Sequence, residues 1–210
     1  MPRHLPAGLT NTLLWSEDLG YGWHSGPPIS YDAGYFEHYR KLDGQPMAAA
    51  LTRARIELVG KYVEPNDTLD IGIGGGRYVL ESGGIGYDVC PEARSWLIAQ
   101  GRFGDPYDTR FAGPMVPSIT CWDSLEHIHE PEKLLERVSG WLFVSMPIYT
   151  GLADLLASKH YKPGEHLHYW TFDGFVQWCA RQGFELIEVN HAETELGREG
   201  ITSFAFKRVE

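Results

Sequence analysis

Apolar and polar positions along this chain follow two rhythms, and the switches between them outline its elements. From Met47 the run MAAALTRARIELVGKYV spaces Leu51, Ile56 and Val59 along one helical face and reaches Gly60 near its end, so a helix is expected there. TLDIGIGGG follows, an apolar, β-branched run that breaks into glycines. It reads as a strand feeding a tight turn, and GRYVLESGG can open a short helix behind it. IGYDV reads as a second strand and PEARSWLIAQG as a second helix, with Pro91 in its first turn, where a missing N–H costs nothing. After the loop-like GRFGDPYDTRFAGPMVP, SITCWD reads as a strand, EPEKLLERV as a helix and WLFVSMPI as another buried strand. Residues 171–183, TFDGFVQWCARQG, make an amphipathic helix, and FELIEVN with TSFAFKRV reads as a closing antiparallel pair.

The βα alternation predicts an α/β fold with a mostly parallel sheet covered on both faces. Residues 1–46 depart from it. They are rich in glycine, proline and aromatics (Trp15, Tyr21, Trp23, Tyr31, Tyr35, Phe36, Tyr39) and read as an arm or lid beside a main domain at 47–210. A length of 210 residues suits one full core, and an apolar fraction of 43% agrees.

Charge narrows the function classes. With 18 Lys+Arg against 28 Asp+Glu, a net charge of −10 argues against a broad nucleic-acid face, which needs clustered cations. No apolar run approaches the roughly 20 residues of a membrane span, and MPRHLPAGLTNTLL lacks a signal core, so a cytoplasmic protein without a membrane partner is expected. Cys90, Cys121 and Cys179 are odd in number and widely spaced, which suits reduced, mostly buried thiols.

The glycine turn carries the first candidate chemistry. Glycine lets backbone approach a ligand and adopt positive φ. A dinucleotide fingerprint begun at Gly72 and Gly74 would end in glycine or alanine at position 77, where Arg77 stands instead. The pattern present is Asp70-x-Gly72-x-Gly74-x-Gly76, with a second acid, Asp88, at the end of the next strand. In this the sequence resembles the class I S-adenosylmethionine-dependent methyltransferases, over roughly residues 47–209. The resemblance implies a three-layer, doubly wound, seven-stranded Rossmann-like sheet with a C-terminal antiparallel strand pair. It implies S-adenosylmethionine as cofactor, with both ribose hydroxyls on Asp88 and with Asp70 steadying the loop or the methionine ammonium. A carboxylate offers two acceptors to two adjacent hydroxyls, each charge-assisted bond being worth about 1.5–3 kcal/mol. Val89 and Cys90 would flank adenine, and Asp105 or Asp108 would accept from its amine. Tyr31, Tyr35 and Tyr39 recur at spacing four, as a lid face or as simple packing.

The second candidate is CWDSLEHIHEPEKLL, which is similar to the D-x-L-E-H-x-x-x-P stretch of many O- and N-methyltransferases. Parallel sheets bind ligands beyond their carboxyl strand ends. Trp122 and Asp123 are therefore expected beside the methyl donor, and Asp123, Glu126 and His127 at the catalytic face. Histidine titrates near neutrality, which makes His127 the candidate base, with Glu126 orienting it or bonding substrate. His129 and Glu130 read as the start of a helix. Asp123, Glu126 and His127 also resemble the E-x-x-E-H cluster of small-RNA 2′-O-methyltransferases and ubiquinone-pathway O-methyltransferases, which implies magnesium or zinc with His166 or His168 as a further ligand.

The insert at about 146–170 supplies candidate acceptor contacts in His160, Tyr161 and His166, and HAETELGREG adds Glu193, Arg198 and Glu199, unless that stretch is a plain hairpin loop. The expected activity is methyl transfer to an oxygen or nitrogen of a small molecule or of a sugar or nucleotide unit. A nucleic-acid methyltransferase and a silent cofactor-binding protein of the same fold remain as alternatives.

Overall fold

The structure, a computed structural model, describes residues 3–4, 13–25, 31–108 and 116–209. Its elements run β1 (Arg3–His4), β2 (Leu13–Ser16), β3 (Tyr21–His24), α1 (Ala33–Asp43), α2 (Pro46–Gly60), β4 (Leu69–Ile71), α3 (Arg77–Ser82), β5 (Ile85–Tyr87), α4 (Pro91–Ala99), β6 (Val116–Trp122), α5 (Pro131–Leu135), β7 (Val138–Tyr149), α6 (Leu152–Ala157), β8 (His168–Thr171), α7 (Phe172–Arg181), β9 (Phe184–Asn190), α8 (Ala192–Glu195) and β10 (Ile201–Arg208).

The core sheet is open and ordered β5-β4-β6-β7-β10-β9. Its first four strands are parallel; β10 runs antiparallel to β7, and β9 to β10. This is the mixed α/β arrangement that the alternation predicts, in the Rossmann-like form that the resemblance implies. The third strand of the expected seven shrinks to one parallel bridge, Gly86 to Phe103, because GRFGDPYD is broken by glycine and proline. Part of that loop, residues 109–115, lies outside the described residues.

Period-two patterning builds the layers. Leu142, Val144 and Met146 of β7 and Phe204 and Phe206 of β10 join one buried cluster with Leu134 and Leu135 of α5 and Phe175 and Trp178 of α7. Phe143 and Ala205, at the alternate positions, join another with Leu58 and Val59 of α2 and Tyr78 of α3. Residues i and i+2 share a face of a strand, so the alternation itself assigns each helix to a side.

The expected arm at 1–46 contributes two things within its described residues. Strands β1, β2 and β3 form an antiparallel sheet whose edge pairs with β8, and β8 runs parallel to the far end of β7 through Ile148–Trp170 and Tyr149–Thr171. Helix α1 buries no residue of its own yet hydrogen-bonds to the glycine turn. Residues 1–2, 5–12 and 26–30 lie outside the described part.

Candidate functional site

The carboxyl ends of β4, β5, β6 and β7 open into a cavity of about 510 Å³, roofed by α1 and walled by the loops at 123–129 and 160–166. That volume falls in the range of about 300–1,000 Å³ usual for small-molecule and cofactor pockets.

One end is built around the glycine turn. Gly72 and Gly76 sit at φ +73° and +90°, so their backbone favours glycine. A Cβ on Gly72 would stand 2.7 Å from Cβ of Ser124, so the turn touches the segment that follows β6. From above, Asp43 Oδ2 accepts from Arg77 N (3.0 Å) and Arg40 Nη1 donates to Gly75 O (3.4 Å), which pins α1 to the turn.

Asp88 is half-buried at the end of β5. Its Oδ2 accepts from Ile73 N (3.0 Å) and its Oδ1 from Cys90 N (2.8 Å). Each oxygen therefore keeps capacity for a further donor, and the pair is held rigid at the cavity wall. Burial raises the pKa of Asp88, and the amides oppose that rise. Asp70, only 2% exposed, accepts from Thr120 Oγ1 (2.7 Å), and burial pushes its pKa up to about 7. Val89 lines the cavity and Cys90 does not, being packed with Ile73, Val79 and Leu97. Asp105 is exposed and off the wall, its Oδ1 accepting from Tyr107 N (2.9 Å), and Asp108 is off the wall as well. Tyr107 stands edge-on to Tyr87 at 5.6 Å instead, and both rings line the cavity. Neither tyrosine was marked by the sequence pattern.

At the other end, Asp123 has φ +53°, a strained conformation for a residue other than glycine. Arg198 grips it bidentately (Nη1 to Oδ2 2.6 Å, Nη2 to Oδ1 2.9 Å), and Arg55 Nη2 reaches Oδ2 at 3.2 Å. Glu193, 1% exposed, accepts from the same two guanidinium groups, with Arg55 Nε at 2.7 Å from Oε1. Burial alone would raise the Asp123 pKa, but Arg198 and Arg55 hold it below the usual carboxylate range. Arg55 also lies over Trp122, 5.2 Å from the ring centre, and Trp122 lines the cavity. Asp123 thus belongs to a two-arginine, two-carboxylate network, of which the sequence marked Asp123, Glu193 and Arg198 but not Arg55.

Glu126 and His127 lie on a single 3₁₀ turn, Leu125–His127, after β6. Leu167 N donates to Glu126 O (2.8 Å), which brings the loop before β8, and with it His166, against that turn. His127 and His166 meet edge-on at 4.7 Å between ring centres, and both line the cavity. Tyr31 Oη is 3.0 Å from His127 Nδ1, while His127 Nε2 lies 3.8 Å from Glu126 Oε1. Glu126, 2% exposed, sits behind this wall with both carboxylate oxygens buried and unpartnered. Burial, then Asp123, pushes its pKa well up; burial, then His127, pushes His166 down to about 3. Burial also lowers His127, against the pull of Glu165 and Asp123.

The other expected contacts separate. His160 lines the cavity, with Nε2 2.9 Å from Glu199 O. Tyr161 packs on His24 and Tyr169, away from the wall. His168 stacks on Tyr21 and Trp170; its Nδ1 meets Tyr21 Oη (2.6 Å) and its Nε2 meets Ile128 O (2.8 Å). His129 and Glu130 are exposed before α5, and Glu130 pairs with Lys133 (2.7 Å). Tyr31, Tyr35 and Tyr39 all line the cavity, adjacent rings lying 4.8 and 4.7 Å apart.

Residues 36–189 match the model of the methyltransferase domain. The chain belongs to the methyltransferase domain family. Solved structures agree with this methyltransferase at the level of fold. Magnesium protoporphyrin IX methyltransferase from Synechocystis, with bound S-adenosylhomocysteine, is 14% identical with a TM-score of 0.59, over 84% of this chain and 95% of its own. A chain named as a methyltransferase, in complex with the Trm112 methyltransferase activator of Haloferax volcanii, is 15% identical with a TM-score of 0.62, over 84% and 97%. A S-adenosylmethionine-dependent methyltransferase from Aquifex aeolicus is 14% identical with a TM-score of 0.58, over 83% and 98%. No curated protein matches by sequence. Among the described residues, no helix of this methyltransferase is long and apolar enough to cross a membrane.

Proposed function

We propose that this methyltransferase moves a methyl group from S-adenosylmethionine to an oxygen or nitrogen of a small molecule or a sugar or nucleotide unit, acting in the cytoplasm. The observation that carries the reading is Asp88, a carboxylate fixed by two backbone amides at the cavity wall beside a glycine turn of positive φ. S-adenosylmethionine and its demethylated product are bound in solved structures of the Synechocystis relative. The chemistry the cofactor brings is a methyl group on a positively charged sulfonium.

The residues of this chain fit that cofactor. Asp88 has an acceptor for each of two ribose hydroxyls, and Val89 with Tyr87 and Tyr107 gives adenine an apolar, aromatic slot. Asp70, buried below the turn, becomes a full anion when a cationic ammonium approaches, because an opposite charge favours its ionised form. The acceptor occupies the end lined by Tyr31, His127, His160, His166 and Arg198. Alignment of acceptor, methyl and sulfur can supply about 7–11 kcal/mol of the barrier. Loss of the acceptor's proton depends on His127 and its immediate partners.

Calorimetric titration with S-adenosylmethionine and S-adenosylhomocysteine tests the reading. Binding of both is expected; no binding of either overturns it. Binding without transfer to any hydroxyl or amine acceptor would favour a silent cofactor-binding protein. Steeply salt-dependent binding of RNA or DNA would favour a nucleic-acid substrate, against the net charge of −10.

A further inference from the structure

Behind the acceptor wall, three ligand-type side chains converge without satisfying one another. One donor atom each from Glu126, His127 and His166 lies within 4.8 Å of the other two. Both oxygens of Glu126 and Nδ1 of His166 are buried with no hydrogen-bond partner, and these residues are 2% and 4% exposed. An unpartnered buried carboxylate is costly, and a cation among these atoms would remove that cost.

We infer that Glu126, His127 and His166 bind one divalent first-row transition ion, such as zinc, and not magnesium. Two imidazoles and one carboxylate suit such ions, whereas magnesium prefers an all-oxygen shell. Ion–ligand bonds of about 2.0–2.2 Å put neighbouring ligand atoms about 3–4 Å apart, so the cluster need close only slightly. Tyr31 supplies the outer support: with Nδ1–H of His127 donating to the Tyr31 hydroxyl, the Nε2 lone pair is left facing Glu126. The ligand set differs from the one the sequence suggests. Asp123 is committed to Arg55 and Arg198, and both nitrogens of His168 are engaged elsewhere.

Three protein ligands leave coordination positions open, and His127 and His166 border the cavity. Resting on the methyltransferase reading, this selects an oxygen acceptor, an alcohol or a phenol, over an amine. Its O–H proton passes to solvent, the O–CH₃ bond forms as the S–CH₃ bond breaks, and the sulfonium becomes a neutral thioether. His127 is then a ligand, and its ring is not the base.

Chelator-stripped protein, titrated calorimetrically with Zn²⁺, Mn²⁺ and Mg²⁺ and followed by the visible spectrum of added Co²⁺, tests the site without any turnover. One equivalent of Zn²⁺ and of Co²⁺ is expected, with Mg²⁺ weaker by about tenfold or more. Glu126→Gln and His166→Asn should each weaken Zn²⁺ by at least about tenfold and abolish its effect on Tm, while His191→Ala, at an exposed position outside the cavity, leaves binding intact. Zn²⁺ affinity unchanged in folded Glu126→Gln and His166→Asn proteins, or Mg²⁺ binding as tightly as Zn²⁺, overturns the proposal. Zn²⁺ binding in a protein that ignores S-adenosylmethionine would keep the ion site and sink only the methyltransferase reading.

Discussion

The two ends of the cavity are built differently. The glycine end is made by neighbours in sequence and by backbone: Ile73 N meets Asp88 across 15 residues, and the turn conformations belong to Gly72, Gly74 and Gly76. The histidine end, where we propose that the acceptor binds, is made by side chains from distant segments. Tyr31 meets His127 across 96 residues, Arg198 meets Asp123 across 75, and Arg55 meets Glu193 across 138. A binding cradle made of local backbone tolerates side-chain change elsewhere, whereas a reactive end assembled from remote side chains depends on each partner. Substitutions should therefore divide by end, with cofactor affinity answering to one and turnover or stability to the other.

The sharpest division is expected at His127. His127→Ala, which removes one of the three inferred ion ligands, should lower turnover by at least about 10–100-fold while S-adenosylmethionine affinity stays near wild type. Equal loss of affinity and turnover would mean that the two ends are not separable. Next comes Glu193, which touches no part of the glycine turn but buries a charge between two arginines. Glu193→Ala should cost about 1.5–3 kcal/mol in chemical denaturation, because each guanidinium group loses one of its two carboxylate partners while Asp123 remains; a cost under about 1 kcal/mol would show the network to be ornamental.

Asp70 sharpens the comparison from the glycine end through pH. Its folded pKa is raised from 3.8 to about 7, so its contribution to stability is fully present below about pH 4 and is lost as pH rises through about 7. The loss is at most about 4 kcal/mol for a shift of that size. Wild-type Tm should fall between pH 5 and 8 by more than that of Asp70→Asn; parallel Tm profiles would refute the assignment. The smallest effect belongs to Tyr31→Phe, which deletes one hydroxyl at His127. Turnover should fall by about 3–10-fold, the worth of roughly one hydrogen bond, with cofactor affinity little changed.

The same contrast explains what the sequence revealed. TLDIGIGGG and the acid of GYDV were legible because a strand, its turn and the next strand end are adjacent in the chain and carry fixed residue types. The slot proposed for adenine was half-legible: Val89 follows Asp88, but Tyr107 arrives from a loop whose strand has shrunk to one bridge, and Asp105 folds back on its own loop. The density of WDSLEHIHE marked a stretch that lines the cavity, yet it could not tell which way each side chain turns. A positive φ at Asp123 and a single 3₁₀ turn direct Asp123 to arginines and Glu126 to the histidines. Arg55 carried no signal, since one cation within a helix reads as solvated surface until its partner Glu193 is placed beside it.

The central claim is that Asp88 holds the cofactor and the His127 end holds the chemistry, and one paired titration tests it most directly. S-adenosylhomocysteine affinity is measured by calorimetry for wild type, Asp88→Ala and His127→Ala. Loss of two charge-assisted hydrogen bonds should weaken Asp88→Ala by about 10²–10⁴-fold, with His127→Ala within about threefold of wild type. Undiminished binding by folded Asp88→Ala protein would contradict the account.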